Sequence, residues 1–191
     1  MPAEFTKFQK SKLIHMFTLL DLDGSGTLEY QDFRMSVDML ALKRGLDTSS
    51  EHYLRLVEDN KKLWRMLSKP LDFDSDGTIS QSEWLAFHIK AFVLNPQENG
   101  VDPDFSSAMN ATAKFFCDLL DLDGDGFITV EDYVQFCEAY NVGANEAMIG
   151  FSMFDRDGNG QLSQEEVFQM VREFYLSEDP DAPGNLFFGS F

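Results

Sequence analysis

The sequence predicts an all-α protein made of helix–loop–helix repeats, and three observations lead to that prediction. A twelve-residue pattern of oxygen-bearing side chains, with glycine at its sixth position, occurs four times in the 191 residues. Apolar residues recur at helical spacing around these copies, as they do at positions 13, 16, 17 and 20 before the first copy. The chain is 43% hydrophobic and 14% aromatic, which is enough apolar material for a packed interior. We therefore expect helices that flank four loops and bury their apolar faces in a common core.

The clearest copy of the pattern runs from Asp155 to Glu166. Side-chain oxygens stand at positions 1, 3, 5 and 12, and Gly160 at position 6 permits a sharp turn. A hard cation such as Ca²⁺ takes about six to eight oxygens at roughly 2.3–2.6 Å, which a short loop can supply only if it curls around the ion. Glu166 is long enough to bind through both oxygens, and with Ser163 it forms a capping box for the next helix. The pattern is that of the EF-hand calcium loop.

Each of the four loops offers ligands from the same positions. The side chains at positions 1, 3, 5 and 12 and the carbonyl at position 7 are the ligands of this loop type, and loop 1 has a further carboxylate at position 9. The predicted ligands are Asp21, Asp23, Ser25, Thr27, Glu29 and Asp32 in loop 1 (residues 21–32); Asp72, Asp74, Asp76, Thr78 and Glu83 in loop 2 (72–83); Asp121, Asp123, Asp125, Phe127 and Asp132 in loop 3 (121–132); and Asp155, Asp157, Asn159, Gln161 and Glu166 in loop 4 (155–166). We expect up to four bound Ca²⁺ ions. An aliphatic residue at position 8 of every loop suits a short two-stranded β-bridge between paired loops.

Position 12 divides the loops into two classes. Glu83 and Glu166 end loops 2 and 4, whereas Asp32 and Asp132 end loops 1 and 3. Aspartate is one methylene shorter than glutamate and tends to bind through one oxygen. Fewer ligands at shorter distances suit Mg²⁺, which requires near-octahedral geometry at about 2.0–2.1 Å. We therefore predict that loops 2 and 4 prefer Ca²⁺, whereas loops 1 and 3 also accept Mg²⁺.

The spacing of the loops predicts two pairs. Loop starts lie 51, 49 and 34 residues apart, so the first pair has longer helices than the second. We assign residues 1–94 to the first EF-hand pair, 95–103 to a turn-rich linker, 104–176 to the second pair and 177–191 to a C-terminal tail. Because the linker is short, the two pairs are expected to pack into one compact globule.

Caps and prolines predict where two of the helices begin or end. Thr48 with Glu51 predicts the start of the helix before loop 2, and Pro70 predicts its end. Asp102 with Pro103 predicts the start of the helix before loop 3.

The tail combines helix-breaking residues with apolar ones. Pro180, Pro183 and Gly184 predict a segment without helix. The apolar residues that follow are Leu186, Phe187, Phe188 and Phe191. Exposed to water, these side chains would promote aggregation, so we expect the tail to fold back onto the helices.

Composition limits the partners of the protein. A net charge of −18 disfavours nucleic acid and anionic membranes and favours cations. No apolar run approaches the roughly 20 residues of a membrane-spanning helix, and no signal peptide is recognisable. Cys117 and Cys137 lack the spacing of zinc ligands, so we expect buried thiols in a reducing, cytoplasmic setting. Because the sequence shows no catalytic motif, we expect that the protein is not an enzyme. We further expect a monomer whose ligands are calcium ions.

The four loops, the long first pair, the short linker and the tail with its proline, glycine and aromatic residues together resemble the sarcoplasmic calcium-binding protein family, with its calerythrin-like members and calexcitin. The resemblance extends over nearly all 191 residues. It implies one compact globule and a role in calcium buffering, sometimes in signalling. Many members have lost the ligands of one loop, whereas all four loops keep theirs here, which implies four usable sites.

Two other functions remain open at this stage. A calcium sensor would open a methionine-rich groove for a partner protein, but 19 phenylalanines outnumber nine methionines and favour a fixed interior. A luciferin-binding or photoprotein-like pocket could use His88 and Trp84, which lie one helical turn apart. We expect His88 instead to be a partly exposed histidine beside a core tryptophan.

Overall fold

A short strand lies between the two helices of each helix–loop–helix repeat in the computed structural model, which describes residues 6–93, 103–121, 125–140 and 142–189. In these residues the helices are α1 (Lys7–Leu20), α2 (Tyr30–Lys43), α3 (Glu51–Leu71), α4 (Gln81–Val93), α5 (Pro103–Leu120), α6 (Val130–Ala139), α7 (Ala144–Phe154) and α8 (Gln164–Leu176), followed by a 3₁₀ helix at Pro183–Leu186. The strands are β1 (Thr27–Leu28), β2 (Ile79–Ser80), β3 (Ile128–Thr129) and β4 (Gln161–Leu162). Each predicted loop lies between two helices, and most of the predicted linker lies outside the described residues.

Antiparallel bridges couple the loops in pairs. Leu28 pairs with Ile79 between β1 and β2, and Ile128 pairs with Leu162 between β3 and β4. All four of these position-8 side chains are buried. The bridges therefore hold paired loops side by side with their apolar residues in the core, and the predicted all-α EF-hand fold is confirmed.

One hydrophobic core continues through both pairs. Helix α2 packs against α6, α3 and α8 pack against α5, and α1 of the first pair also contacts α8. At the surface of this junction, Lys43 at the end of α2 forms an ion pair with Glu138 of α6, with a Nζ–Oε2 distance of 2.7 Å. The two pairs form one compact globule, as predicted.

Helix α3 begins two residues later than its predicted cap would place it. Ser50 is its N-cap instead of Thr48, and the Ser50 hydroxyl accepts a hydrogen bond from the Tyr53 N–H at 3.2 Å. Asp47 explains the shift, because its carboxylate accepts hydrogen bonds from the Ser49 N–H at 2.8 Å and the Ser49 hydroxyl at 2.7 Å. This local turn keeps the chain non-helical up to the cap.

The predicted end of α3 at Pro70 is also wrong. The helix continues through Pro70 to Leu71, and the Asp72 N–H still completes a helical hydrogen bond at 2.8 Å. In the last turn a proline removes a single N–H bond, and burial of the Leu71 side chain offsets that loss. Helix α5 begins at Pro103 as predicted, while its predicted cap Asp102 lies outside the described residues.

The tail lies against the helices as far as residue 189, and Phe191 is outside the described residues. Its prolines exclude an α-helix, but the prediction of no helix was too strict. Pro183 begins a short 3₁₀ helix, because its missing N–H is not needed at the first helical position. Phe187 and Phe188 then enter the core and are buried.

A close approach to α8 fixes the position of the tail. A Cβ on Gly184 would lie 2.7 Å from the carbonyl oxygen of Met170 and 2.8 Å from the backbone nitrogen of Phe174. Both distances are too short for a real side chain, so the tail can pack this closely only because residue 184 is glycine.

Polar contacts tie the tail to both pairs. The buried Lys12 ammonium of α1 donates to the Ser177 carbonyl at 2.7 Å and to Oδ1 of Asn185 at 3.1 Å. The Tyr133 hydroxyl of α6 donates to the Phe187 carbonyl at 3.0 Å. The tail therefore bridges α1 and α6 as well as covering α8.

Burial determines the chemistry of the two cysteines. Both are buried free thiols, and burial raises the pKa of Cys117 and of Cys137 to about 12. At neutral pH they are protonated and therefore poor nucleophiles.

No helix within the described ranges is long and apolar enough to cross a membrane.

Candidate metal centres

The backbone holds each loop in a ring. The four position-6 glycines adopt φ values between 84° and 90°, a conformation that residues with a Cβ rarely accept. Their N–H groups donate to Oδ2 of the position-1 aspartate at 2.9–3.1 Å. The pairs are Gly26–Asp21, Gly77–Asp72, Gly126–Asp121 and Gly160–Asp155. The first ligand of each loop is therefore oriented by the fold itself.

The position-12 glutamates close loops 2 and 4 in the same way. Glu83 accepts N–H bonds from positions 2 and 9 of its loop at 2.9 and 2.8 Å, and Glu166 accepts the equivalent bonds at 2.9 and 2.8 Å. The Ser80 N–H and hydroxyl lower the pKa of Glu83, because both hydrogen bonds favour the ionised carboxylate. Both glutamates thus connect the exiting helix back to the start of the loop.

Asp32 takes the corresponding role in loop 1 and is buried. Its carboxylate accepts N–H bonds from Leu22 at 3.0 Å and from Glu29 at 2.8 Å. Burial raises the pKa of Asp32, although the backbone hydrogen bonds oppose this shift. A cation bound beside the carboxylate would offset the cost of burying its charge.

Three loops bring carboxylate oxygens together at the spacing that a cation requires. In each of three triads, one oxygen from every carboxylate lies within 4.8 Å of the others. The triads are Asp21, Asp23 and Asp32; Asp72, Asp74 and Asp76; and Asp155, Asp157 and Glu166. Oxygens that bind one Ca²⁺ at about 2.3–2.6 Å lie at most roughly 5 Å apart, so the residues fit the ion.

The other predicted ligands of these loops surround the triads. The Ser25 hydroxyl donates to the Thr27 carbonyl at 2.9 Å, so these two predicted oxygens lie side by side. The N–H at position 7 donates to the position-5 side chain at 2.8 Å in loops 2 and 4, from Thr78 to Asp76 and from Gln161 to Asn159. Among the described carboxylates, Glu29 and Glu83 do not join the triads of their loops; Glu29 is the N-cap residue of α2.

Loop 3 differs because a basic side chain of the first pair reaches it. Asp121 and Asp125 accept N–H bonds inside the loop, and Asp123 lies outside the described residues. Oδ2 of Asp132 accepts the position-9 N–H at 2.8 Å. Nη1 of Arg44, from the end of α2, lies 3.3 Å from Oδ1 of Asp132.

No signal in the sequence identifies Arg44 as a neighbour of loop 3. It precedes Asp132 by 88 residues, and the loop pattern contains no position for a basic partner. The exposed side chain of Phe127 extends away from the core, which leaves the backbone carbonyl as the ligand that this residue offers to loop 3.

Comparisons with known proteins agree with this geometry. A family model described as EF hand matches residues 13–37 and 118–136, and one described as EF-hand domain pair matches residues 141–173. Calerythrin from Saccharopolyspora erythraea is 25% identical over 171 residues, which cover 90% of this chain and 94% of calerythrin. The chain is similar to calerythrin over nearly its whole length and carries EF-hand motifs.

Two solved structures share the fold of this EF-hand protein. The sarcoplasmic calcium-binding protein from amphioxus aligns with a TM-score of 0.72 at 19% identity, covering 98% of this chain and 99% of the other. The coelenterazine-binding protein from Renilla muelleri aligns with a TM-score of 0.75 at 19% identity, covering 96% of each chain.

An apolar cavity of about 30 Å³ lies beside His88 in the interior of this EF-hand protein. His88 is 3% exposed, so the expected partial exposure was wrong. The reason is packing: the imidazole lies between the rings of Trp84 and Tyr175, with centroids 4.3 and 5.7 Å away. Its Nδ1–H donates to the Trp84 carbonyl at 2.7 Å, and burial lowers the pKa of His88 to about 4. The imidazole is therefore neutral at physiological pH.

Proposed function

We propose that the protein is a cytoplasmic Ca²⁺ buffer that binds up to four ions and keeps its interior closed. The carboxylate triads and the rings of backbone hydrogen bonds support cation binding. One observation favours a buffer over a sensor: Phe187 and Phe188 fill the space between the helices of the second pair that a partner helix would otherwise occupy.

Aromatic contacts show how completely the tail fills that space. The Phe187 ring lies 5.0 Å from Phe116 of α5 and 6.2 Å from Phe136 of α6, measured between centroids. The Phe188 ring lies 5.1 Å from Phe174 of α8. Because these helices already bury their apolar faces against the chain itself, Ca²⁺ binding is expected to tighten the protein without opening a groove.

An apolar fluorescent dye tests the proposal. We expect little dye binding with Ca²⁺ and more after chelation, because the empty loops loosen the core. The alternative function is a sensor that exposes an apolar groove to a partner protein, and it requires the opposite result. Strong dye fluorescence only in the presence of Ca²⁺ would refute the buffer and favour the sensor.

A luciferin-binding or photoprotein-like role has one supporting feature, the buried grouping of His88, Trp84 and Tyr175. The size of the cavity argues against it. One water requires about 10–15 Å³, so this cavity of about 30 Å³ has room for one or two waters. Pockets for small organic ligands are larger, on the order of 300–1,000 Å³. We therefore do not favour this role.

We further propose that loops 2 and 4 select Ca²⁺ and that loops 1 and 3 also accept Mg²⁺. The N–H signals of Gly26, Gly77, Gly126 and Gly160 in ¹⁵N NMR spectra report each loop separately, since each N–H bonds the first ligand of its own loop. We expect millimolar Mg²⁺ to shift the signals of loops 1 and 3, and added Ca²⁺ to be required for loops 2 and 4.

The matched control for metal selection exchanges the position-12 residue. In Asp32→Glu the Gly26 signal should lose sensitivity to Mg²⁺ and behave like the Gly77 signal, because the longer carboxylate supplies two oxygens. Equal Mg²⁺ responses in all four loops of the natural protein would show that position 12 does not determine the preference.

We also propose the domain organisation, the oligomeric state and the partners of the protein. Residues 1–94 and 104–176 act as two EF-hand pairs joined by residues 95–103, and residues 177–191 close the interior. The protein works as a monomer, its ligands are calcium ions, and it needs no nucleic acid, membrane span or catalytic activity.

A further inference from the structure

Arg44 connects the first pair to both helices that flank loop 3. It is the C-cap residue of α2. Its Nη1 donates to the carbonyl of Leu120, the last residue of α5, at 3.0 Å, and its Nη2 donates to the carbonyl of Asp132 in the first turn of α6 at 2.8 Å. Nη1 also lies 3.3 Å from Oδ1 of Asp132. One guanidinium thus spans the beginning and the end of the loop.

Low solvent exposure strengthens the contact between Arg44 and Asp132. The side chains of Arg44 and Asp132 are only 11% and 18% exposed, so solvent and salt screen their attraction less than at an open surface. The Leu120 carbonyl belongs to the C-terminal end of α5, where the helix dipole favours a positive charge. Arginine also keeps its charge throughout the physiological pH range.

The position-12 carboxylate of loop 3 lies beside a basic side chain of the first pair. In loops 1, 2 and 4, one oxygen of the position-12 carboxylate accepts the N–H at position 9 and the second accepts the N–H at position 2. In loop 3, where position 2 lies outside the described residues, Oδ2 of Asp132 accepts the position-9 N–H and Oδ1 lies beside the Arg44 guanidinium. A carboxylate that loop 3 offers to a cation therefore already has a positive partner.

We propose that Arg44 competes with the divalent cation for Asp132 and makes loop 3 the last of the four loops to fill. This inference rests on the proposed function. A bound ion and the guanidinium repel each other, so filling loop 3 weakens the contact of Arg44 with Asp132. That contact joins α2 of the first pair to α6 of the second, and the occupancy of loop 3 is therefore coupled to the packing between the pairs.

The test compares two neighbouring charge removals, Arg44→Met and Lys43→Met. Each removes one positive charge from the same end of α2, but Lys43 pairs with Glu138, which lies beyond the loop on α6. Calcium titrations are followed at the N–H signals of Gly126 for loop 3 and of Gly77 and Gly160 for loops 2 and 4.

We expect the Gly126 signal of the natural protein to shift last. In Arg44→Met its apparent Ca²⁺ affinity should rise about tenfold, the scale of losing one partly buried ion pair. The Gly77 and Gly160 titrations should stay within about twofold of the natural protein. Lys43→Met should change the Gly126 titration by less than about twofold, as distant and more exposed charges do.

Arg44→Lys is the second variant. It keeps the charge but lacks the planar fork with which arginine bonds both carbonyls, so its Gly126 affinity should fall between those of the natural protein and Arg44→Met. It also carries the test if Arg44→Met does not fold.

Two results would overturn competition by Arg44. Equal effects of Arg44→Met and Lys43→Met on the loop 3 affinity would show that any positive charge at this end of α2 has the same effect. A lower loop 3 affinity in the Arg44 variants would show that Arg44 supports binding. Normal titrations at Gly77 and Gly160 alongside either result would leave the buffer proposal intact. No response at any glycine would refute both.

Discussion

Removal of divalent cations is expected to lower the free energy of unfolding by about 5 kcal/mol. An ion present at about 100 times its dissociation constant stabilises the folded state by roughly 2.7 kcal/mol per site, and loops 2 and 4 supply two such sites. Loops 1 to 3 each carry four carboxylates at positions 1, 3, 5, 9 and 12, and loop 4 carries three. Without metal each cluster repels itself, so the loss acts on the folded state.

Urea denaturation in EGTA and in millimolar Ca²⁺ measures this effect as a shift of the midpoint at constant slope. The matched control is the double variant with Glu83→Gln and Glu166→Gln, which keeps the side-chain size but removes one charge from each strong loop. Its Ca²⁺-dependent gain should be much smaller than that of the natural protein. Identical midpoints with and without Ca²⁺ in the natural protein would exclude metal-linked stability.

The features that the sequence predicted correctly are local in the chain. The ligands of a calcium loop lie within twelve consecutive residues. The aliphatic residue at position 8 of each loop predicts the β-bridges that are observed between paired loops. The capping box of Ser163 and Glu166 is present for the same reason, since both partners lie three residues apart. Short-range hydrogen bonding and side-chain spacing determine all of these features.

The features that the sequence did not predict depend on competing or distant contacts. Asp47 stabilises a turn with Ser49, so α3 begins after Ser50 and not after Thr48. Helix α3 continues through Pro70 because the Leu71 side chain is buried in the core. Arg44 meets loop 3 only after α2 has packed on α6. The Asp47 turn is a local preference that competes with the predicted cap, whereas the other two cases depend on the tertiary arrangement.

Phe187→Ala is expected to lower the free energy of unfolding by about 3–5 kcal/mol even with Ca²⁺ bound, as other buried phenylalanine truncations do. The Phe187 side chain is 0% exposed and lies among the rings of Phe116, Phe136 and Phe188. No loop ligand lies in the tail, so the variant leaves the metal sites chemically unchanged. Ile149→Ala on α7 is the control, because Ile149 is 59% exposed and its truncation should cost at most about 0.5 kcal/mol.

The same variant tests whether the tail keeps the second pair closed as well as stabilising the fold. If Phe187 keeps the second pair closed, Phe187→Ala should bind apolar dye in the presence of Ca²⁺, whereas the natural protein and Ile149→Ala should not. The helices under the tail carry aromatic side chains that need an apolar partner, and loss of Phe187 leaves them facing water. Dye binding by the variant would mean that one side chain of the tail keeps this EF-hand protein from behaving as a sensor. A stable variant without dye binding would show that α5, α6 and α8 close on each other, and the tail would then not be the reason for a closed interior.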